Sequence, residues 1–422
     1  LHLSIRRQRQ MCIRDRRRGA AVKPRILFVD HAGVLGGAEL YLLDVATRLK
    51  DRAHVVVFEP GPFVDRLREA GVSVDVLAAP SALLGVEREG DARGDLKAIP
   101  AVLGMMNRVR RLARSYDVIF ANSQKGMIVA ALAGFLARRP VIWNLHDILT
   151  ADHFSGAHRA LAVQMANRLI RRVIVNSEAT RVSFTASGGR TPTATVFNGH
   201  DPAVFDRVPE ADIAAQRMAL GADRYRLVGV FSRLAPWKGQ HVLLHALPAL
   251  PDVRAVLVGG ALFQDDRDYE AQLRQEAEAL GVADRVMFLG FRSDVPLLMR
   301  SMDIVAHTSV SPEPFGRVIV EGMLAGKPVI AAGAGGALEI IDDPSVGLCT
   351  PPGDTTALER AIRGVLDDPA RAERMARAGR ASAEDRFTID RTVQDINDQI
   401  THVLGDSYGA TTHKTAAPPI QV

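Results

Sequence analysis

From Pro24 onward, short continuous runs of Val, Ile, Leu and Phe alternate with longer stretches whose apolar positions recur every three or four residues. Seven short runs come first: RILFVD (25–30), HVVVFE (54–59), VSVDVL (72–77), DVIFAN (117–122), VIWNLH (141–146), RVIVNS (172–177) and ATVFNG (194–199). Stretches such as 38–49, 99–114 and 158–171 between them carry helical periodicity. Continuous apolar strands separated by helices predict a parallel sheet covered on both faces. Polar residues and prolines then gather in GHDPAVFDRVPEADI (199–213), and the pattern restarts. Six more runs follow at 225–233, 253–260, 284–290, 302–309, 327–332 and 347–350, with helices such as 240–249, 268–280 and 296–301. The expected architecture is α/β, with two Rossmann-like, doubly wound domains at 21–205 and 206–385. Their carboxyl edges would face across a cleft, the usual ligand position in open α/β sheets. A final helix, 386–404, follows the second sheet, and the aperiodic tail 405–422 is expected to be disordered.

Charge changes the picture only at one end. The formal net charge is +5, but residues 1–20 hold seven arginines and one acid, a net +6, so residues 21–422 sum to −1. A nucleic-acid-binding body is therefore not expected. The leader LHLSIRRQRQMCIRDRRRGA lacks the apolar core of a secretory signal. It reads as a non-native scar or a basic arm. The longest apolar run, Met127–Ala137, is too short to span a bilayer. Two cysteines, Cys12 and Cys349, cannot build a disulfide framework or a cysteine metal site, which suits a reducing cytoplasm. The basic helical stretches 106–114 and 167–173 can lie on an anionic membrane, as peripheral contact, or can be ordinary amphipathic helices.

The densest candidate chemistry lies in SPEPFGRVIVEGMLAGKPVIAAGAGG (311–336). Pro312 and Pro314 stiffen a loop around Glu313, and a helix starts near Phe315–Gly316. Its first turn offers unpaired N–H groups and a positive dipole end, and Gly316 allows close approach of an anion such as phosphate. Glu321 can accept hydrogen bonds from vicinal hydroxyls such as those of a ribose, and Glu313 can do the same for a sugar ring. The blander reading of Glu321 is a carboxylate favoured by the helix dipole. In SRLAPWKGQ (232–240), Arg233 and Lys238 stand at a strand end, where they can hold phosphate oxygens or be solvated surface cations.

The first strand–helix turn, DHAGVLGGAE (30–39), carries Gly33, Gly36 and Gly37 without the dinucleotide fingerprint. It either contacts a phosphate or sugar across the cleft or is a turn needing positive φ. His146, at a strand end, can hydrogen-bond a sugar hydroxyl or stabilise positive charge through its carbonyl, or be structural. Asp147 can cap a turn, and His153 and His200 are weaker candidates. DDRDYE (265–270) reads as a capping loop, with a Mg²⁺ site as the lesser alternative.

These motifs, in this order and at these separations, resemble glycosyltransferase family 4. The shared signatures are Gly-Gly-Ala-Glu after the first strand, Ser-Arg-Leu…Lys-Gly opening the second half, and Pro-Glu-Pro-Phe-Gly…Glu-Gly…Ala-Gly-Lys-Pro-Val-Ile-Ala. The resemblance spans about residues 24–400. It implies a GT-B fold and sugar transfer, with retention, from a nucleotide-diphosphate donor to a hydroxyl acceptor on a glycan, lipid or small molecule. It implies donor binding by the second domain and acceptor binding by the first, with no cofactor or metal required. Arg233 and Lys238 match diphosphate-binding cations, Glu321 the ribose-binding acid and Glu313 the sugar-facing acid. Phe315, Gly316, Arg317 and Val318 match the loop around phosphates and sugar, and Phe291 and Arg292 the region under the base. Gly36 and Gly37 match the first-domain phosphate loop, His146 the first-domain sugar contact. The last helix would cross back to the first domain. The family often carries an apolar residue at Arg317 and Val at His200.

No protein nucleophile is assigned. Same-face attack with the leaving phosphate accepting the acceptor's proton is favoured over a covalent intermediate on Glu313. A nucleotide-sugar epimerase on the same fold and a non-catalytic nucleotide-sugar-binding protein are the alternatives.

Overall fold

A computed structural model describes residues 23–78, 92–150, 156–260 and 264–405. The leader, the tail beyond 405 and His153 lie outside the described residues, so the readings attached to them are not taken further. Residues 265–270, expected as a capping loop, lie instead within the helix Gln264–Ala279; the side chains of Asp265 and Asp266 are outside the described residues, and the Mg²⁺ reading ends there.

Each of the thirteen apolar runs overlaps a strand, though the seventh strand ends at Thr195, near the start of the expected run 194–199. The first sheet is built from β1 (Ile26–Asp30), β2 (Ala53–Val57), β3 (Ser73–Val76), β4 (Val118–Ala121), β5 (Val141–Leu145), β6 (Arg172–Val175) and β7 (Thr193–Thr195). The second contains β8 (Arg226–Phe231), β9 (Val253–Val258), β10 (Val286–Phe288), β11 (Ile304–His307), β12 (Val329–Ala332) and β13 (Leu348–Thr350). The strand orders are 3-2-1-4-5-6-7 and 10-9-8-11-12-13. Every pair is parallel. The order reverses between β1 and β4 and between β8 and β11, the two crevices where such sheets bind ligands.

Observed strands stop before the polar ends of the sequence runs. Asn122, His146, Asn176 and Thr308 fall just past β4, β5, β6 and β11, in the loops of the carboxyl edges. The periodic stretch 240–249 also divides. An α-helix runs Gln240–Ala246, then tightens into a 3₁₀ turn, Leu247–Ala249. Pro248 has no N–H with which to continue the α-ladder.

Both faces of each sheet are covered by apolar side chains. One face of the first sheet carries Leu27, Val29, Trp143 and Phe184, the last two edge-to-face at 6.1 Å. Its other face carries Phe28, Tyr41, Phe63 and Phe120. On this second face also lie Ile389, Ile396 and Ile400 from the last helix, Ile389–Leu404. The preceding helix, Pro369–Arg386, packs on the second sheet instead, through Met375 and Ala383.

The chain thus passes between the halves twice, near 199–200 and near 387–389. The two crossings are hydrogen-bonded together: His200 N donates to Phe387 O at 2.9 Å, and Ile389 N donates to His200 O at 2.9 Å. A Cβ at Gly199 would lie 2.2 Å from Thr388 O, so only glycine permits this approach. Phe197, Phe315 and Phe387 pack around the crossing, with centroids 5.3–6.0 Å apart.

Docking of the last helix is testable. Ile396 is fully buried in the first sheet's core. Ile396→Ala should cost about 2–5 kcal/mol, read as a lower denaturant midpoint for the first half.

Candidate active site

Two loops at the carboxyl edge of the second sheet are joined backbone to backbone. The first follows β8 and contains Arg233, a 3₁₀ turn Pro236–Lys238, and Gly239 at φ +69°. The second follows β11 and runs through Ser309 and Glu313 to the helix Arg317–Leu324. Val310 N donates to Trp237 O and Thr308 Oγ1 to Lys238 O, both at 2.9 Å. A Cβ on Gly239 would meet Thr308 O at 2.1 Å, so glycine is required both by φ and by proximity. Gln240 braces the first loop from beneath, donating to Ser232 Oγ and to the Arg233 carbonyl at 2.9 Å each.

This union brings Lys238 and Glu313 together as an ion pair, with the Glu313 carboxylate 8% exposed and Lys238 18%. Ser309 Oγ donates to Glu313 Oε1 at 2.8 Å, and His307 Nε2 lies 3.3 Å from the same oxygen. Burial alone would raise the Glu313 pKa, but the Lys238 charge and the His307 imidazole outweigh it and hold the acid well below the carboxylate range. Its backbone is fixed too, since Gly336 N donates to Glu313 O at 2.8 Å. The sequence placed Lys238 on a diphosphate and Glu313 on a sugar; their pairing was not foreseen. Nor were His307 and Ser309, which carry no motif.

Gly316 caps the helix at φ +100°, which an L side chain rarely adopts. Phe315 is buried in the second half's core, and Val318 packs partly buried against the same cluster. Glu321 stands one turn beyond Arg317 on the same helix. His200 Nδ1 lies 3.3 Å from Glu321 Oε1, and Arg317 Nη2 lies 3.7 Å from that oxygen. Arg317 also reaches Asp44 of the first half at 3.4 Å. Burial raises the Glu321 pKa against the Arg317 charge. Burial and then Arg317 push His200 well below its ordinary pKa, so it is neutral at pH 7.

The first half meets this edge at Gly36–Gly37, where the helix Gly37–Arg48 begins. None of Gly33, Gly36 and Gly37 has positive φ, so the turn reading gives way to close approach. A Cβ on Gly33 would sit 2.3 Å from Pro60 O, and one on Gly36 2.6 Å from Glu39 Oε2, whereas Gly37 faces the Arg317 side chain at 3.7 Å. Glu39 completes the helix start by accepting from Gly36 N at 3.0 Å; burial and then the nearby Asp30 charge raise its pKa to about 7.

Beside this loop, Asp30, Asn122 and His146 form a chain. Asn122 Nδ2 donates to Asp30 Oδ2 at 2.7 Å, and His146 Nε2 lies 2.9 Å from Asn122 Oδ1. Burial lowers the His146 pKa to about 4, so the ring is neutral. Its carbonyl accepts from Asn176 Nδ2 at 3.3 Å. The two amides were missed from sequence, although both stand at strand ends. At the rim, Phe291 is 67% exposed beside Gly260, and Arg292 Nε donates to Asp294 at 2.8 Å. A further contact between the halves comes from Glu339, whose carboxylate accepts from Glu178 N at 2.9 Å and Ala179 N at 3.1 Å. Among the described residues no group of acids, histidines or cysteines is placed to hold a metal ion.

Two doubly wound parallel sheets with facing carboxyl edges define the GT-B class. A family model described as "Glycosyl transferases group 1" matches residues 212–382, and one described as "Glycosyl transferase 4-like domain" matches 36–199. Anabaena HepE, solved with UDP and glucose and with UDP-glucose, is similar over 89% of this chain and 99% of its own, with TM-score 0.81 and 41–42% identity. The D-inositol 3-phosphate glycosyltransferase of Salinispora tropica is 28% identical over 87% of this chain and 81% of its own. The phosphatidyl-myo-inositol mannosyltransferase of Mycolicibacterium smegmatis is 29% identical over 74% and 81%. The chain belongs to the group 1, family 4-like glycosyltransferases, which sets aside the epimerase and the non-catalytic binder.

The buried pair gives a prediction with a sign. Because the folded pKa of Glu313 is depressed, its stabilising contribution is present above the ordinary value of 4.5 and is lost as pH falls toward the folded pKa. In Lys238→Met the carboxylate loses its cation, which should cost about 3–5 kcal/mol at pH 7. Denaturation at stepped pH should show that deficit narrowing on acidification, as Glu313 takes up a proton.

Proposed function

We propose that the protein transfers a sugar from a uridine-diphosphate donor to a hydroxyl acceptor with retention of anomeric configuration. The second half (206–385) binds the donor, and the first half (21–205) presents the acceptor. The last helix returns to the first half. The observation that carries this is the joined pair of loops: Arg233, Lys238, Glu313 and a glycine-started helix sit on one sheet edge, directly opposite Gly37. UDP as the nucleotide is taken from the HepE complexes.

In this site Arg233, Lys238 and the backbone from Gly316 to Val318 face the diphosphate. As the anomeric C–O bond breaks, negative charge grows on the leaving diphosphate and these donors stabilise it, each worth roughly 3–4 kcal/mol. Glu321 accepts from the ribose hydroxyls, and the base rests near Phe291 and Arg292. Glu313 positions the transferred sugar while holding Lys238 in place. Neutral His146 and the Gly36–Gly37 loop meet the sugar and phosphate from the first half. The leaving phosphate oxygen takes the acceptor's proton. The chemistry calls for no cofactor and no metal.

The test is thermal unfolding with UDP, GDP, ADP and dTDP. UDP at 100 times its dissociation constant should stabilise the protein by about 2.7 kcal/mol, and Arg233→Ala should abolish the shift. Glu313→Ala should mainly slow transfer from UDP-sugars, and Glu321→Ala should mainly weaken nucleotide binding. Absence of any shift with nucleotides or UDP-sugars would overturn the assignment.

A peripheral contact with the inner face of the cytoplasmic membrane belongs to the same proposal. Three adjacent helices, Ala92–Ala113, Gln124–Ala137 and Gly156–Leu169, cover one face of the first sheet. Residues 103–113, 124–137 and 156–169 contain no acid. They expose Leu103, Leu132, Phe135 and Leu161, with Arg108, Arg111 and Arg168 exposed among them. No helix among the described residues is long and apolar enough to cross a bilayer. Apolar side chains set among arginines suit a surface of anionic lipid. The protein should sediment with phosphatidylglycerol vesicles at low salt but not with phosphatidylcholine vesicles. Reversing Arg108, Arg111 and Arg168 to Glu should release it.

A further inference from the structure

Two side chains from different parts of the fold meet at one carboxylate. Arg317 and His200 are distant in sequence and sit in different parts of the fold, yet both lie against Glu321 Oε1, at 3.7 and 3.3 Å. His200 is 5% exposed, and its backbone is the point where the two crossings between the halves are hydrogen-bonded to each other. Arg317 extends from the first turn of the Glu321 helix to Asp44, so the same cluster also touches the helix that begins at Gly37.

We infer that His200 is a positioning residue for Glu321, so that the acid reading the nucleotide's ribose is held by the crossing between the halves. This rests on the assignment of Glu321 to the ribose. The geometry is specific. With the proton on Nδ1, His200 can donate to Glu321 Oε1, 3.3 Å away, and Arg317 Nη2 flanks the same oxygen at 3.7 Å. A carboxylate gripped through one oxygen keeps a fixed plane and directs the other oxygen to a ligand. Without the imidazole, Glu321 can instead rotate toward Arg317, one helical turn away, and present its oxygens differently to the ribose. Val at position 200 offers no donor. Asn places an amide nitrogen close to where Nδ1 stands, so it can restore the contact.

The experiment measures the affinity of the full chain for UDP and for its 2′-deoxy and 3′-deoxy analogues. The proteins are wild type, Glu321→Ala, His200→Val and His200→Asn, each with a melting temperature. Wild type should prefer UDP, and Glu321→Ala should lose that preference. His200→Val should lose about tenfold of it, as expected for one hydrogen bond to a charged group, while His200→Asn recovers most. A role in packing the crossing alone would lower the melting temperature of His200→Val and leave the UDP-to-deoxy ratio at its wild-type value, which would overturn the inference while the ribose assignment stands. If Glu321→Ala keeps the preference, the ribose assignment falls and the role of His200 with it. Should His200→Val not fold, Arg317→Met removes the opposite side of the cradle. It is read in the same ratio, and an unchanged ratio counts against the inference.

Discussion

A carboxylate kept ionised beneath the surface sets the form of the second half's cleft edge. Removing such a charge from water costs several kcal/mol, which Coulomb attraction recovers only when geometry is tight and remaining lone pairs are met. Glu313 meets both conditions through Lys238, His307 and Ser309. Each partner comes from a different place: the loop after β8, the end of β11, and the loop beyond it. The three segments must therefore hold a fixed mutual position. Gly239 against Thr308 and Gly335 against Glu313 are the backbone approaches that allow it; a Cβ would come within 2.1 and 2.2 Å of a carbonyl oxygen. An ion pair that offers little net stability is thus well suited to specifying one arrangement of two loops.

The same logic, weaker and more exposed, joins the two halves. Arg317 to Asp44 and Glu339 to the amides of Glu178 and Ala179 are contacts between sheets whose cores are otherwise separate. They are few, and they gather at the cleft. Among the described residues, aromatic side chains pack between the halves at the crossing, around Phe197, Phe315 and Phe387.

The architecture was legible because parallel strands buried on both faces leave continuous Val/Ile runs, a signal that survives without any alignment. The last helix was placed on the first half by resemblance alone. Nothing in Ile389–Leu404 itself says which sheet receives Ile396. Glycines were harder to interpret. The sequence offered positive φ or a ligand for the Gly33–Gly37 loop, whereas Gly33 is there because Pro60 O lies close, a tertiary fact invisible locally. Of the candidate site, the residues on motifs could be read and their supports could not. His307, Ser309, Asn122 and Asn176 are common residue types at strand ends, and only the folded register shows which group each one faces.

Charge is divided between the halves in a way the sequence did not show. The second half's edge concentrates fixed charge: Lys238 and Glu313 are paired within it, and Arg317 stands at its helix start. Across the cleft the first half presents a neutral ring. Burial lowers the His146 pKa to about 4, and the buried acid Asp30 is separated from it by the uncharged amide of Asn122. An amide between carboxylate and imidazole orients the ring without offering it a base strong enough to draw off a proton. That arrangement suits hydrogen bonding and positioning better than proton transfer.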